Sequence, residues 1–401
     1  SFAIKQKAAT AGIMITASHN PPRYNGVKLK ASYGGSASPD QHKQVEAFLA
    51  RNIADGREPK RMRLADAFEQ GLVQKFDPAW AYYEHLSSLV DLDVISRGEL
   101  RVIADGMYGA GRGVISEVLT RSRTYVENIR HELNPGFGGV HPEPIARNLK
   151  QLIKLVTAGH WDVGLATDGD ADRIGAVDAK GNFVDPHRIF ALVLRYLIEK
   201  RGWRGKVVRT VSTTRMIDRI AQAHGLEVIE TPVGFNHIAD HMLAGGVLMG
   251  GEESGGLSIQ GHIPEGDGIL LGLLLVEVMA ESGLSLHELV NDLLATYGPA
   301  QYKRTDIKLE QPVPKKQMVA FLENAAPGEI AGVAIERIDT VDGVKYYVAD
   351  GSWLLIRPSG TEPVLRVYAE AANDARVQAL LDFGEEMAAR AQAELAEPML
   401  F

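Results

Sequence analysis

The 401-residue chain contains no cysteine, which excludes disulfides, thiolate catalysis and cysteine-ligated metals. It has no excess of positive charge: 43 Lys and Arg stand against 51 Asp and Glu, a formal net charge of −8, which argues against wholesale nucleic-acid binding. No apolar run reaches the roughly 20 residues that a membrane-spanning helix needs, so no membrane partner is expected. The longest candidate, Gly268 to Ala280, is interrupted by Glu277 and predicts a buried helix. No signal peptide is visible, and the expected location is cytoplasmic. What is present is ordinary for a soluble globular protein, with 45% hydrophobic and 23% charged residues. The length exceeds one ordinary core and predicts two to four domains.

One stretch organises the rest: Thr16-Ala17-Ser18-His19-Asn20-Pro21-Pro22. The run Gly12-Ile13-Met14-Ile15 leads into it and reads as a short buried strand. The strand stops at a small, polar, Pro-bounded loop, which holds the Ser18 hydroxyl at the end of a rigid element beside His19. Lys28 follows in Tyr24-Asn25-Gly26-Val27-Lys28. A hydroxyl that is to carry phosphate needs a fixed position and a nearby cation, because phosphoryl transfer is mostly positioning and charge stabilisation.

Further along, residues 1–76 predict helix, strand, loop and helix, the last with an N-cap-like Ser38-Pro39-Asp40 start and apolar positions Val45, Phe48 and Leu49. Asp77-Pro78 marks a boundary, and a second α/β unit covers 77–182. Its strand Leu100–Ala104 opens into Asp105-Gly106-Met107-Tyr108-Gly109-Ala110-Gly111-Arg112-Gly113. A dinucleotide fingerprint counted from Gly109 requires glycine where Val114 stands, so a tight strand-to-helix turn is the better reading. The strand Trp161–Ala166 delivers Thr167-Asp168-Gly169-Asp170-Ala171-Asp172-Arg173. Carboxylates at i, i+2 and i+4 in a glycine-containing loop can converge on one hard divalent cation. An EF-hand loop counted from Asp168 requires Gly and Glu where Arg173 and Ala179 stand, and fails.

A third unit covers 183–299, with a helix Asp185–Lys200, a strand Val207–Val211 ending at Ser212-Thr213-Thr214, and the loop Gly250-Gly251-Glu252-Glu253-Ser254-Gly255-Gly256. Glycines there let backbone approach a ligand, while Glu and Ser offer partners to vicinal hydroxyls. The last unit, 300–401, carries Arg357-Pro358-Ser359-Gly360-Thr361-Glu362-Pro363 between two strands and closes on a helix from Asp374 to Leu395. An Arg, two hydroxyls and free backbone N–H groups around Gly360 make an oxyanion nest. Strand, small polar loop and helix recur in the first three units.

The stretch TASHNPPRYNGVK resembles the active-site serine loop of the α-D-phosphohexomutases, which interconvert 1-phospho and 6-phospho sugars. The other three loops are similar to that family's remaining motifs, in the family's order from Ser18 to Pro363. The resemblance implies α/β, multi-domain architecture: three similar mixed-sheet α/β domains and a smaller α+β C-terminal domain around a central cleft. Family members usually carry several tens of residues before this point, including a G-T-S-G-x-R-G loop, so the first domain is expected to be truncated at its N-terminus. The resemblance implies that Ser18 carries phosphate and that Mg²⁺ is held by Asp168, Asp170, Asp172 and a phosphoserine oxygen of Ser18. His19 and Lys28 are then expected near the transferring oxygens, with Lys28 as the candidate general acid/base. The resemblance further implies that Arg173 contacts substrate or phosphate, that Glu252 and Ser254 select the sugar, and that Arg357, Ser359, Gly360 and Thr361 grip the phosphate that is not being transferred.

The implied reaction is ping-pong on one serine. Ser18 donates its phosphoryl group to a hexose monophosphate, the resulting hexose 1,6-bisphosphate reorients by a half-turn, and the other phosphate returns to Ser18. Glucose is the expected sugar, because Glu253 and Gly256 depart from the Q-S-G-H usual in glucosamine-type members. Mannose or dual specificity is the alternative, a glucosamine substrate the next. Asn236 stands where family members often have Lys, with His237 beside it. Two rival readings are a sugar-phosphate phosphatase or phosphotransferase on the same phosphoserine, and a silent sugar-phosphate-binding protein.

Overall fold

Val163–Thr167 is buried along its whole length, as a Val-Gly-Leu-Ala-Thr run between helices requires of a central strand. In the computed structural model, which describes residues 1–310, 313–359 and 363–395, it is the middle of a five-stranded sheet. The order is Tyr125–Ile129, Arg101–Asp105, Val163–Thr167, Ile174–Asp178, Phe183–Val184. The first three strands run parallel and the last two antiparallel to their neighbours. Asp105 pairs beside Ala166, so the loops after these two strands leave the same edge of the sheet, where parallel α/β sheets place their sites. The helix Lys150–Ala158 covers one face through Leu152 and Val156, which meet Gly164. The helix Gly268–Ser282 covers the other, where Gly272 meets Leu165 and Ile174. The Glu277 carboxylate that interrupts its apolar run is fully buried and accepts the Asp91 N–H at 2.9 Å.

These elements belong to the first of two compact units, made of residues 1–185, 239–245 and 256–285. The same unit holds the antiparallel pair Ala11–Ile15 and Val27–Ala31, in which Met14 lies opposite Lys28. Here the sequence expectation of a buried strand is corrected, for Ile13 and Ile15 are 73% and 63% exposed. Successive side chains of a strand point to opposite faces. In this two-stranded pair the covered face carries Gly12, packed on Ile4, and Met14. The helix Pro39–Ala54 begins as expected, with the Ser38 hydroxyl and the Gln41 side chain forming a reciprocal capping box. Its apolar residues Val45, Phe48 and Leu49 are exposed.

The second unit comprises residues 186–238, 246–255 and the described residues from Leu286 on. Lys206–Thr210 runs parallel between Val228–Thr231 and Val247–Gly251. The helices Pro186–Glu199, Met216–Ala223 and Leu286–Tyr297 pack on one another beside it. A six-stranded sheet follows, in the order Gln301–Lys308, Val364–Ala371, Trp353–Pro358, Val344–Val348, Val333–Asp339, Glu329–Ile330. The helices Lys315–Asn324 and Asp374–Leu395 close one face over a core containing Tyr346, Leu354 and Val367. The other face presents Tyr347, Trp353 and Tyr368 to Val211 and Val233. The chain is thus multi-domain α/β, as the sequence predicts. Among the described residues no single helix is long and apolar enough to cross a membrane.

Candidate active site

The strand Val163–Thr167 hands the chain to Asp168, Asp170 and Asp172, which can offer one carboxylate oxygen each, all within 4.8 Å of one another. Asp168 is fully buried, and its Oδ1 accepts the Arg173 N–H at 3.1 Å. Asp168 Oδ2, Asp170 Oδ1 and Asp172 Oδ1 are buried without a hydrogen-bond partner. Arg173 Nε approaches to 4.0 Å from Asp168 and 3.9 Å from Asp172, close enough for an ion pair but not for a hydrogen bond. Burial pushes the Asp168 carboxyl well above its ordinary range, and the charges of Asp172 and Asp170 add to it. Burial and then Asp170 also raise Asp172, against Lys28 and Arg173. Burial acts on Asp170 too, but there the Lys28 ammonium outweighs it and the carboxyl is lowered. Three inward carboxylates with free buried oxygens form a hard-oxygen donor set, and a divalent cation such as Mg²⁺ fits it.

The serine loop is tied to this loop twice. Ser18 N–H donates to Thr16 Oγ1 at 2.9 Å, and the Thr16 hydroxyl donates to Asp170 Oδ2 at 3.1 Å. A Cβ on Gly169 would overlap the Ser18 carbonyl oxygen, so only glycine permits the approach. Ser18 itself has φ +53°, in the left-handed region. Its Oγ lies 3.3 Å from His19 Nδ1. Burial, and then the Arg173 charge, bring His19 down to about 4, so the ring is neutral at neutral pH. Lys28 Nζ donates to Asp170 Oδ2 at 2.8 Å and to Asp172 Oδ2 at 3.5 Å. Burial opposes its charge, but Asp172 and Asp170 outweigh burial and hold the ammonium protonated. Ser18, His19, Lys28, Asp168, Asp170, Asp172 and Arg173 therefore meet in the first unit. A cavity of about 560 Å³ opens there, walled by Lys28, Asp170 and Asp172 and by Lys30, Tyr82 and Glu265.

The remaining sequence-predicted residues lie in the second unit. Glu252 and Ser254 follow the strand Val247–Gly251. Glu252 Oε1 accepts the Gly234 N–H at 2.9 Å, and Oε2 accepts the Ser254 hydroxyl at 3.3 Å. Arg357, near the end of Trp353–Pro358, donates from Nε to Asp342 Oδ2 at 2.6 Å. Asp342 also accepts from Val233 N–H at 3.1 Å and from Lys315 Nζ at 2.6 Å. The adjacent residues Val233 and Gly234 therefore join the Glu252 loop to the Arg357 loop. Ser359 N–H donates to the Val364 carbonyl at 2.8 Å. Gly360 and Thr361 lie outside the described residues. Chemically, the first unit holds a nucleophilic hydroxyl, an ammonium and a cation-binding donor set. The second offers a carboxylate and a hydroxyl for polyol recognition, with cations for an anion.

Sequence reasoning missed several members. Thr16 sits inside the motif, and its hydroxyl was the available signal. The glycines of the Asp105–Gly113 loop serve the aspartate loop: Gly109 abuts the Asp168 and Gly169 carbonyls, and Ala110 N–H donates to Gly169 O at 2.9 Å. Asp342 and Lys315 carry no local motif.

Four family descriptions match in succession. Residues 1–55 match "Phosphoglucomutase/phosphomannomutase, alpha/beta/alpha domain I", 80–181 domain II and 185–297 domain III. Residues 309–386 match the C-terminal domain of the same series. A phosphoglucomutase/phosphomannomutase of Thermococcus kodakarensis is 32% identical over 377 residues, 94% of this chain and 78% of the relative. A phosphoglucosamine mutase of Latilactobacillus sakei is 33% identical over 406 residues, 99% of this chain and 81% of the relative. A crystal structure described as a "putative phosphomannomutase" from Thermus thermophilus superposes with a TM-score of 0.81 at 34% identity, covering 98% of this chain and 80% of that one.

Proposed function

The chain belongs to the α-D-phosphohexomutase family of intramolecular phosphotransferases, and we propose that it interconverts glucose 1-phosphate and glucose 6-phosphate through a phosphorylated Ser18. The observation that carries this reading is the linkage Ser18–Thr16–Asp170–Lys28, which sets a hydroxyl beside an ammonium and three carboxylates that each keep one buried oxygen without a hydrogen bond.

In the first half-reaction the Ser18 Oγ–P bond breaks as a bond forms between phosphorus and the free hydroxyl of a hexose monophosphate. Lys28 gives a proton to the departing serine oxygen and is refilled from the sugar hydroxyl. His19, neutral and 3.3 Å from Ser18 Oγ, orients the hydroxyl in the resting state. The product is hexose 1,6-bisphosphate. After a half-turn it returns its other phosphoryl group to Ser18, and the proton path runs backward. Asp168, Asp170, Asp172 and an oxygen of the Ser18 phosphate would hold Mg²⁺, which when bound supplies neutralisation of the phosphoryl charge. Arg173 contacts phosphate, Glu252 and Ser254 take sugar hydroxyls, and Arg357, Ser359, Gly360 and Thr361 take the second phosphate. We place the domain limits at 76/77, 182/183 and 299/300.

Glucose is favoured by Glu253, whose carboxylate accepts the Ser212 hydroxyl at 2.6 Å and leaves Glu252 and Ser254 as the loop's polar contacts for sugar. A glucosamine substrate is the second reading, favoured by the name of the Latilactobacillus relative. A coupled assay tests both. Glucose, mannose and glucosamine 1-phosphates are supplied with Mg²⁺ and a trace of the matching 1,6-bisphosphate. Fastest turnover is expected on glucose 1-phosphate, with none in Ser18→Ala. Wild-type turnover by Ser18→Ala overturns the phosphoserine, and faster turnover on glucosamine 1-phosphate overturns the sugar.

A further inference from the structure

Lys30 follows Lys28 by two positions in Val27–Ala31, so both side chains leave the strand on one face. Lys28 reaches the aspartates. Lys30 instead makes a buried ion pair with Glu265, 235 residues later. The Ser36 hydroxyl completes the contact, 3.3 Å from each partner. Pro264 closes it from behind, since a Cβ on Gly35 would stand 2.7 Å from the Pro264 carbonyl oxygen.

The same short segment touches the metal loop on its other side. A Cβ on Gly266 would stand 2.9 Å from the Asp172 carbonyl oxygen, and one on Gly268 would overlap that of Arg173. Gly268 N–H donates to the Ala171 carbonyl at 3.0 Å. Asp267 between them is fixed by the Tyr82 hydroxyl at 2.6 Å and caps Ile269 and Leu270 at the start of Gly268–Ser282. The segment Pro264–Gly268 therefore grips the Lys28 strand through one carboxylate and the aspartate loop through its backbone.

We propose that Glu265 is a positioning residue for phosphoryl transfer: its ion pair with Lys30 holds the strand carrying Lys28 in register with the loop carrying Asp170 and Asp172. The proposal rests on the mutase reading. Removing the carboxylate leaves Lys30 buried without a counter-charge, a state that proteins relieve by moving the cation toward water. The Lys30 side chain is 5% exposed, so a move of its ammonium toward water is expected to disturb the strand that also carries Lys28 to Asp170.

Two measurements on the full chain test this with Glu265→Gln and Lys30→Met. Amide hydrogen exchange is expected to quicken in both 27–31 and 171–173, with the strand Arg101–Asp105 unchanged. Unaltered exchange in either segment overturns the proposal. In the mutase assay kcat is expected to fall about 10- to 100-fold, the cost of a misplacement of about 1 Å. KM for the sugar monophosphate is expected to stay within about twofold, with the double variant no worse than either single one. The fraction of molecules phosphorylated on Ser18 by glucose 1,6-bisphosphate, read by intact mass, stays at the wild-type level. A kcat within about twofold of wild type overturns the proposal, as does a fall matched by an equal loss of phosphorylatable Ser18, which marks unfolding instead. If the wild-type chain turns over no hexose phosphate, the mutase reading fails, and the exchange experiment still decides whether Glu265 joins strand to loop.

Discussion

Asp168 holds its carboxyl group where water does not reach, beside two others. In the metal-free fold this is a cost, and the upward displacement of its pKa expresses it. The same residue therefore acts in opposite directions depending on the cation. Asp168→Asn is expected to raise the thermal midpoint of the metal-free protein, by about 2–4 °C for each kcal/mol of repulsion relieved. It is also expected to weaken Mg²⁺ by more than the roughly 10- to 100-fold that outer-sphere partners of a metal carry. Differential scanning calorimetry with chelator, and then with Mg²⁺, checks both signs. A lowered midpoint in chelator would show that the Arg173 contacts outweigh the repulsion. Gly169 works at the same scale, since its missing Cβ is what lets the serine loop touch the aspartate loop.

Among whole elements, the end of Val228–Thr231 is bound to the strand Val344–Val348 by charge. Glu230 accepts from Arg209, from Lys345 Nζ at 3.2 Å and from the Tyr347 hydroxyl at 3.0 Å. Burial alone would raise Glu230, but Arg209 and then Lys345 bring it down to about 2 from its ordinary 4.5. A carboxylate lowered in the fold stabilises it above its unfolded pKa and stops doing so as pH falls through the folded one. Stability is thus expected to decline between pH 4.5 and about 2, and Glu230→Gln to flatten that part of a urea-unfolding pH series. Burial, and then Arg209, lower Lys345 to about 8, so its contribution to stability grows as pH rises from there toward 10.5.

Across the molecule, what the sequence made legible was local. Ser18 and His19 are neighbours, and the three aspartates fall within five residues, so spacing alone announced them. Thr16 with Asp170, 154 residues apart, and Lys30 with Glu265 are joined by folding, and no periodicity encodes such pairs. The exposure of Ile13 and Ile15 was illegible for another reason: an apolar run says that a strand forms, not which of its faces is covered. Because the aspartates and the serine loop lie in one unit, Mg²⁺ is expected to slow amide exchange in 168–173 and 16–18 and to leave 206–210 unchanged. Mass spectrometry with and without the ion tests this, and slowing at 206–210 would contradict it. The route of the chain also bears on biosynthesis. The first unit is finished only by residues 256–285, after the chain has entered the second. Glu265 follows Asp172 by 93 residues, so at synthesis rates of about 5–20 residues per second the aspartate loop leaves the ribosome roughly 5–20 s before its support exists. The serine loop and the aspartate loop are therefore expected to reach their native contacts only once residues 256–285 have been made, late in the synthesis of the first unit.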